Sequence, residues 1–73
     1  MSILTPRELE VVHLLASGCS YKQAARHLGI STHTIVTHIK STYRKLDVHT
    51  AAAAVMRAAR LGLIETRVPE EIL

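Results

Sequence analysis

Between Ser31 and Leu46 the chain alternates apolar and polar residues at helical spacing. With Ile35, Ile39, Tyr43 and Leu46 facing inward, at steps of four, four and three, one side of an α-helix is apolar. His33, Val36, Thr37, Lys40, Ser41 and Arg44 then point outward. This outward set holds hydroxyls, cations and one aliphatic group, and no carboxylate. Hydroxyls can exchange hydrogen bonds with base edges, cations can pair with phosphates, and an aliphatic can meet a thymine methyl. The set suits the major groove of a nucleic-acid duplex. A solvated basic face is the plainer alternative, although a generic surface helix usually mixes in Glu or Asp.

Charge along the chain is uneven. The net charge is +3, but the stretch from Ser20 to Arg60 holds Lys22, Arg26, Lys40, Arg44, Lys45, Arg57 and Arg60 against Asp47 alone, a local +6. The two ends, with Arg7 and Arg67 against Glu8, Glu10, Glu65, Glu70 and Glu71, carry −3. Clustered positive charge implies a polyanionic partner, either nucleic acid or an anionic membrane surface.

Capping signals divide the chain that must position these residues into four helices. Thr5-Pro6-Arg7-Glu8 combines an N-cap, a proline at the first helical position and a capping box. Leu4 and Leu9 can staple that entry, and Leu9, Val12, Leu15 and Ala16 continue it at helical spacing until Gly18. A second capping box, Ser20-Tyr21-Lys22-Gln23, precedes the apolar stripe Ala24, Ala25 and Leu28, which Gly29 ends. Ser31 caps the third helix. Asp47 to His49 form a break, and Thr50 caps a fourth helix over Ala51–Leu61, with Ala54, Val55, Ala58 and Leu61 as its buried face. Gly62 closes it, and Leu63 and Ile64 can fold back onto the core. The expectation is an all-α fold, a compact four-helix domain with a central helix-turn-helix. One domain spans 1–73, its core about 4–64 and its tail 65–73 loosely held.

The 73 residues suffice for one small domain. They exclude a large enzyme with a deep substrate pocket. Cys19 is the lone cysteine, so no intrachain disulfide can form, and the absence of staples suggests a reduced, cytoplasmic setting. Cys19 reads as a small loop hydrophobe rather than a catalytic thiol. The longest apolar run, Ala51 to Met56, is far below the roughly 20 residues of a membrane span, and no basic-then-apolar leader opens the chain. His33 and His38 stand about 140° apart around one helix, so they do not share a face as a ligand pair would. No metal site, cofactor or catalytic residue is therefore expected. Only Gly29 and Ile30 join the second and third helices. Ala25 permits close approach, Gly29 can take the left-handed conformation of a tight turn, and Ile35 can plug the angle between the helices. This spacing fits a helix-turn-helix.

The runs Leu4-Thr5-Pro6-Arg7-Glu8-Leu9-Glu10-Val11-Val12 and Gly18-Cys19-Ser20-Tyr21-Lys22-Gln23-Ala24-Ala25 resemble the LuxR-type helix-turn-helix signature. So do Leu28-Gly29-Ile30-Ser31, Thr34-Ile35, His38, Lys45-Leu46, Ala54-Val55 and Arg60-Leu61-Gly62-Leu63-Ile64, which extends the likeness over about residues 4 to 64. The resemblance implies the DNA-binding output domain of a bacterial transcription regulator, such as a response regulator. It implies double-stranded DNA as partner, a homodimer through the fourth helix on inverted half-sites, and RNA polymerase as a further partner. An N-terminal receiver or signal-binding domain would belong to the full-length protein. No membrane partner is implied.

By the same resemblance Val36, Thr37 and Lys40 fall where bases are contacted. Lys22, Thr34, His38, Arg44 and Lys45 fall where backbone or structural contacts are usual. Ser31 would cap the reading helix beside a phosphate, and Ser41 completes the outward set. His38 has two readings, an imidazole near a phosphate or a packed histidine orienting the helix. The chain departs from the family at Val36, where a cation is usual, at Thr42, where an aliphatic is usual, and at Ala51, where Arg is usual. On the fourth helix Ala52, Met56, Ala59 and Arg60 form a second strip, expected at a symmetric dimer contact; the alternative is alanines serving helix propensity alone. A sigma-factor DNA-reading region shares the first three helices. A protein-interaction module of the same fold, with weak or lost DNA binding, is the rival of a different class.

Overall fold

A computed structural model describes residues 3–65. Its helices are α1 (Pro6–Ala16), α2 (Tyr21–Leu28), α3 (Thr32–Leu46) and α4 (Ala51–Arg60), and among the described residues there is no strand. The expected tail from 66 onward lies outside the described residues.

Each helix starts and stops by one device. Thr5, Ser20, Ser31 and Thr50 sit in extended backbone, and each side chain accepts a hydrogen bond from the N–H three residues on. A cap of this kind is worth about 1 kcal/mol. Glu8 and Gln23 return the bond to the cap backbone, completing the two capping boxes. At the other end, amides reach back five residues, from Cys19 to Leu14, Ile30 to Ala25, Val48 to Tyr43 and Leu63 to Ala58. This closure requires a left-handed residue just before the reaching amide. After α3 that residue is Asp47, at φ 57°, the one non-glycine with positive φ among the described residues.

The core has two lobes. Val11, Ala24, Ala25, Ile35 and Ile39 form one between α1, α2 and the first half of α3. Leu4, Val12, Leu46, Val48, Ala54, Ala58 and Ile64 form the other with α4. Val11 and Val12 are consecutive, about 100° apart on the helix, so α1 feeds both lobes. α3 does likewise with Ile35 and Leu46. α1 and α3 are thus the spine, α2 and α4 flank it, and α2 and α4 do not touch each other.

Two expectations about the core need correcting. In α1 the buried residues are Glu8, Val11 and Val12, while Leu9 and Leu15 are half-buried and Ala16 is exposed. In α4 the expected inward Leu61 is 53% exposed. It lies beyond the last helical residue, Arg60, and the turn at Gly62 gives its place in the core to Ile64.

Candidate nucleic-acid interface

α3 is 15 residues long, about 22 Å at 1.5 Å per residue. Its inward side is pinned by Ile35, Ile39, Thr42 and Leu46. His33, Thr37, Lys40 and Arg44 are exposed, and Val36 is half-buried against the α2 lobe. Val36, Lys40 and Arg44 follow one another at about 6 Å intervals along the axis, so they span about the 12 Å width of a major groove. The Thr37 hydroxyl donates to the His33 carbonyl at 3.2 Å, which leaves its oxygen lone pairs free to accept. Ser31 accepts from the Thr34 amide at 3.0 Å and shares a hydrogen bond with the Thr34 hydroxyl at 2.9 Å.

Electrostatics favour an anion at three of the helix starts. The first turns of α2, α3 and α4 contain no acidic residue, so the partial positive charge at those helix starts is not neutralised. Lys22, exposed in the first turn of α2, adds a cation at that helix start. Among the described residues the ion pairs are Arg7–Glu10 and Lys45–Glu8. Lys22, Arg26, Lys40, Arg44, Arg57 and Arg60 therefore have no acidic partner among the described residues.

Lys45 and Ser41 sit differently from the rest of the expected set. The Lys45 ammonium is 2.8 Å from the Glu8 carboxylate, whose side chain is only 4% exposed. The same carboxylate oxygen accepts the Thr5 amide at 2.8 Å. Burial alone would raise the Glu8 pKa. Hydrogen bonds from Lys45 and the Thr5 backbone, with the Lys45 charge, outweigh it and lower the pKa from 4.5 to about 2. The Lys45 side chain is thus drawn to α1, and Ser41 is half-buried. His38 is half-buried, and its backbone carbonyl accepts the Thr42 hydroxyl at 2.8 Å.

Sequence reasoning missed three placements, which involve four residues. Glu8 looks like a surface acid, because its partner lies 37 residues away. Tyr21 and Tyr43 bring their hydroxyls within 3.0 Å, tying the start of α2 to α3. Burial, and then the Tyr21 hydrogen bond, push Tyr43 above the usual phenol range. His49 joins Lys40, Tyr43, Arg44, Asp47 and Val48 around an open cleft of about 410 Å³. A histidine in a short break carries no periodic signal, so only the fold places it beside α3.

On α4, Ala52 and Arg60 are exposed, Met56 is 62% exposed, and Ala59 is half-buried against the core. Among the described residues no three His, Cys, Asp or Glu side chains are grouped to hold a metal ion, and no helix is long and apolar enough to cross a membrane.

A family model described as GerE, bacterial regulatory proteins of the luxR family, matches residues 2–58. The transcriptional activator protein CarR of Pectobacterium carotovorum subsp. carotovorum is 43% identical over 65 residues, covering 89% of this chain and 27% of CarR. The nitrate/nitrite response regulator protein NarP of Escherichia coli (strain K12) is 49% identical over 55 residues, covering 75% of this chain and 26% of NarP. The chain thus spans about a quarter of the length of these curated relatives. The solved structure of the transcription factor GerE superposes with a TM-score of 0.79 at 39% identity, covering 85% of this chain and 92% of GerE.

Proposed function

The chain belongs to the luxR family of bacterial regulatory proteins, and from that premise we propose that it binds duplex DNA sequence-specifically as a transcription regulator's output domain. The first half of α3 enters the major groove. Thr37 and Lys40 read base edges, and Val36 meets a thymine methyl through the part of its side chain that stays exposed. Lys22, Thr34 and Arg44, with the α3 N-terminus at Ser31, fix the register on phosphates. The observation that carries this reading is the exposed side of α3, where hydroxyls and unpaired cations stand without a carboxylate. The role is binding, with no catalytic step and no cofactor, in the cytoplasm.

The strip Ala52, Met56, Ala59 and Arg60 forms the contact of a symmetric dimer. Small alanines let a second α4 approach, and the large exposed Met56 gives the contact apolar area. RNA polymerase and a receiver or signal-binding domain complete the proposed partners.

Selection of sites from a randomised duplex pool at near-physiological salt tests the reading, because non-specific binding there is only about 10⁻⁴–10⁻⁶ M. Two enriched inverted half-sites, about one helical turn apart, are expected. One isolated half-site would retain the reading helix and remove the dimer. No enrichment would sink the DNA reading and favour the protein-interaction module.

A further inference from the structure

Side-chain hydrogen bonds tie the C-terminal half of α3 to its neighbours, whereas apolar packing of Ile35 and Ile39 holds the N-terminal half. Among the described residues, the C-terminal half's side chains hydrogen-bond other helices through Tyr43 to Tyr21 and Lys45 to Glu8. In the N-terminal half, Thr34 bonds its own cap and Thr37 its own helix. At 100° per residue, Arg44 stands about 40° around the axis from Lys40, whereas Ser41 stands about 100° and Lys45 about 140° away. A surface that meets Lys40 and Arg44 face-on leaves Lys45 on the flank toward α1.

We propose that Glu8 is a positioning residue for the reading helix, and that Lys45 serves this lock rather than the DNA backbone. The inference rests on the proposed reading of duplex DNA. Glu8 is held at α1 by the Thr5 amide and at α3 by Lys45, through one carboxylate oxygen. It therefore fixes α3 relative to the first turn of α1 by short, charge-assisted bonds. Moving the Lys45 ammonium to a phosphate would strand a buried carboxylate, which costs more than an exposed ion pair returns. Loss of the lock lets α3 shift. Contacts to base edges depend on that placement, whereas non-specific attraction to phosphates depends on charge.

The test measures affinity against salt for a selected site and a random duplex, with each variant confirmed folded by circular dichroism. Lys22→Met and Arg44→Met should each flatten the slope of log K against log salt by about 0.9, the signature of one lost phosphate contact. Lys45→Met should leave the slope unchanged. Glu8→Gln should weaken the selected site at least about fivefold, equivalent to losing one base contact, without weakening random duplex. Partial unfolding would instead weaken both alike. A slope flattened by about 0.9 in Lys45→Met, or equal losses on both duplexes in Glu8→Gln, would overturn the proposal. Absence of duplex binding by the unaltered protein would overturn the DNA reading and the positioning role with it. Carboxyl NMR reads the lock separately. Glu8 should titrate at about 2 and move toward 4.5 in Lys45→Met, and an ordinary value in the unaltered protein would remove the lock itself.

Discussion

Replacing Glu8 with Gln should abolish a large share of the acid sensitivity of folding. The folded carboxyl titrates at about 2 against an ordinary 4.5. Between those values the native state binds fewer protons than the unfolded chain, so stability rises with pH across this window. The contribution is fully present above 4.5 and lost as pH falls to 2. At 1.36 kcal/mol per pH unit it amounts to about 3 kcal/mol, and the 4% side-chain exposure leaves little solvent to screen it. A domain of this length is stable by roughly 4–11 kcal/mol in total, so one carboxylate is a substantial fraction. Gln keeps the shape and can still accept the Thr5 amide, but it lacks the charge that holds Lys45. Urea unfolding at fixed ionic strength, followed by helical circular dichroism from neutral pH to pH 2, gives the comparison. The variant should be less stable at neutral pH by up to about 3 kcal/mol, and the two curves should converge near pH 2. The difference between curves isolates Glu8 whatever the other carboxyls do. Parallel curves over the whole range would refute the argument, because Glu8 would then have no special pairing in the folded state.

Three further outcomes are expected. Lys40→Ala should cost about 1–3 kcal/mol on a selected site and relax preference at one base pair, while Lys22→Ala weakens selected and random duplexes alike; fluorescence anisotropy on both duplexes separates them, and equal losses for Lys40→Ala would remove its reading role. Thr42→Val should raise stability by about 0.5 kcal/mol in thermal unfolding, because the lost hydroxyl only back-bonds the His38 carbonyl within the helix, an arrangement that slightly destabilises helices. Met56→Lys should leave the fold intact and abolish dimer formation on DNA in sedimentation, since it sets a cation beside Arg57 and Arg60 at the proposed contact; an unchanged protein-to-DNA ratio would rule that contact out.

Helix starts and stops were legible because their chemistry is local. A Ser or Thr cap meets the amide three residues on, and a left-handed residue follows each helix, so short windows contain both partners. Asp47 shows the limit: it takes a conformation that glycine fills after the other three helices, and its side chain gave no sign of that. The buried side of α1 was read too narrowly. A single helical stripe assumes one facing surface, whereas α1 lies between two lobes and buries Val11 and Val12 together. Glu8 and Lys45 are opaque for a related reason. A charge buried by a partner 37 residues away looks like any surface charge until the helices are assembled.

The division of α3 into a half fastened by hydrogen bonds and a half held by packing gives the departures from the family different weights. Thr42 replaces the usual aliphatic in the fastened half, where it is 1% exposed. Its hydroxyl is satisfied within its own helix, and Ile39 and Leu46 on the same side remain buried, so α3 keeps its seat. Val36 replaces the usual cation in the half held by packing, where its side chain leans on the α2 lobe. That change removes a charge from the reading surface without loosening any fastening. On the proposed reading, the two substitutions therefore act on separate properties: one on how firmly α3 is held, the other on which base pairs it prefers. On the same reading, the lock at Glu8 and the tyrosine pair hold the first property constant while side chains toward the start of α3 vary in what they recognise.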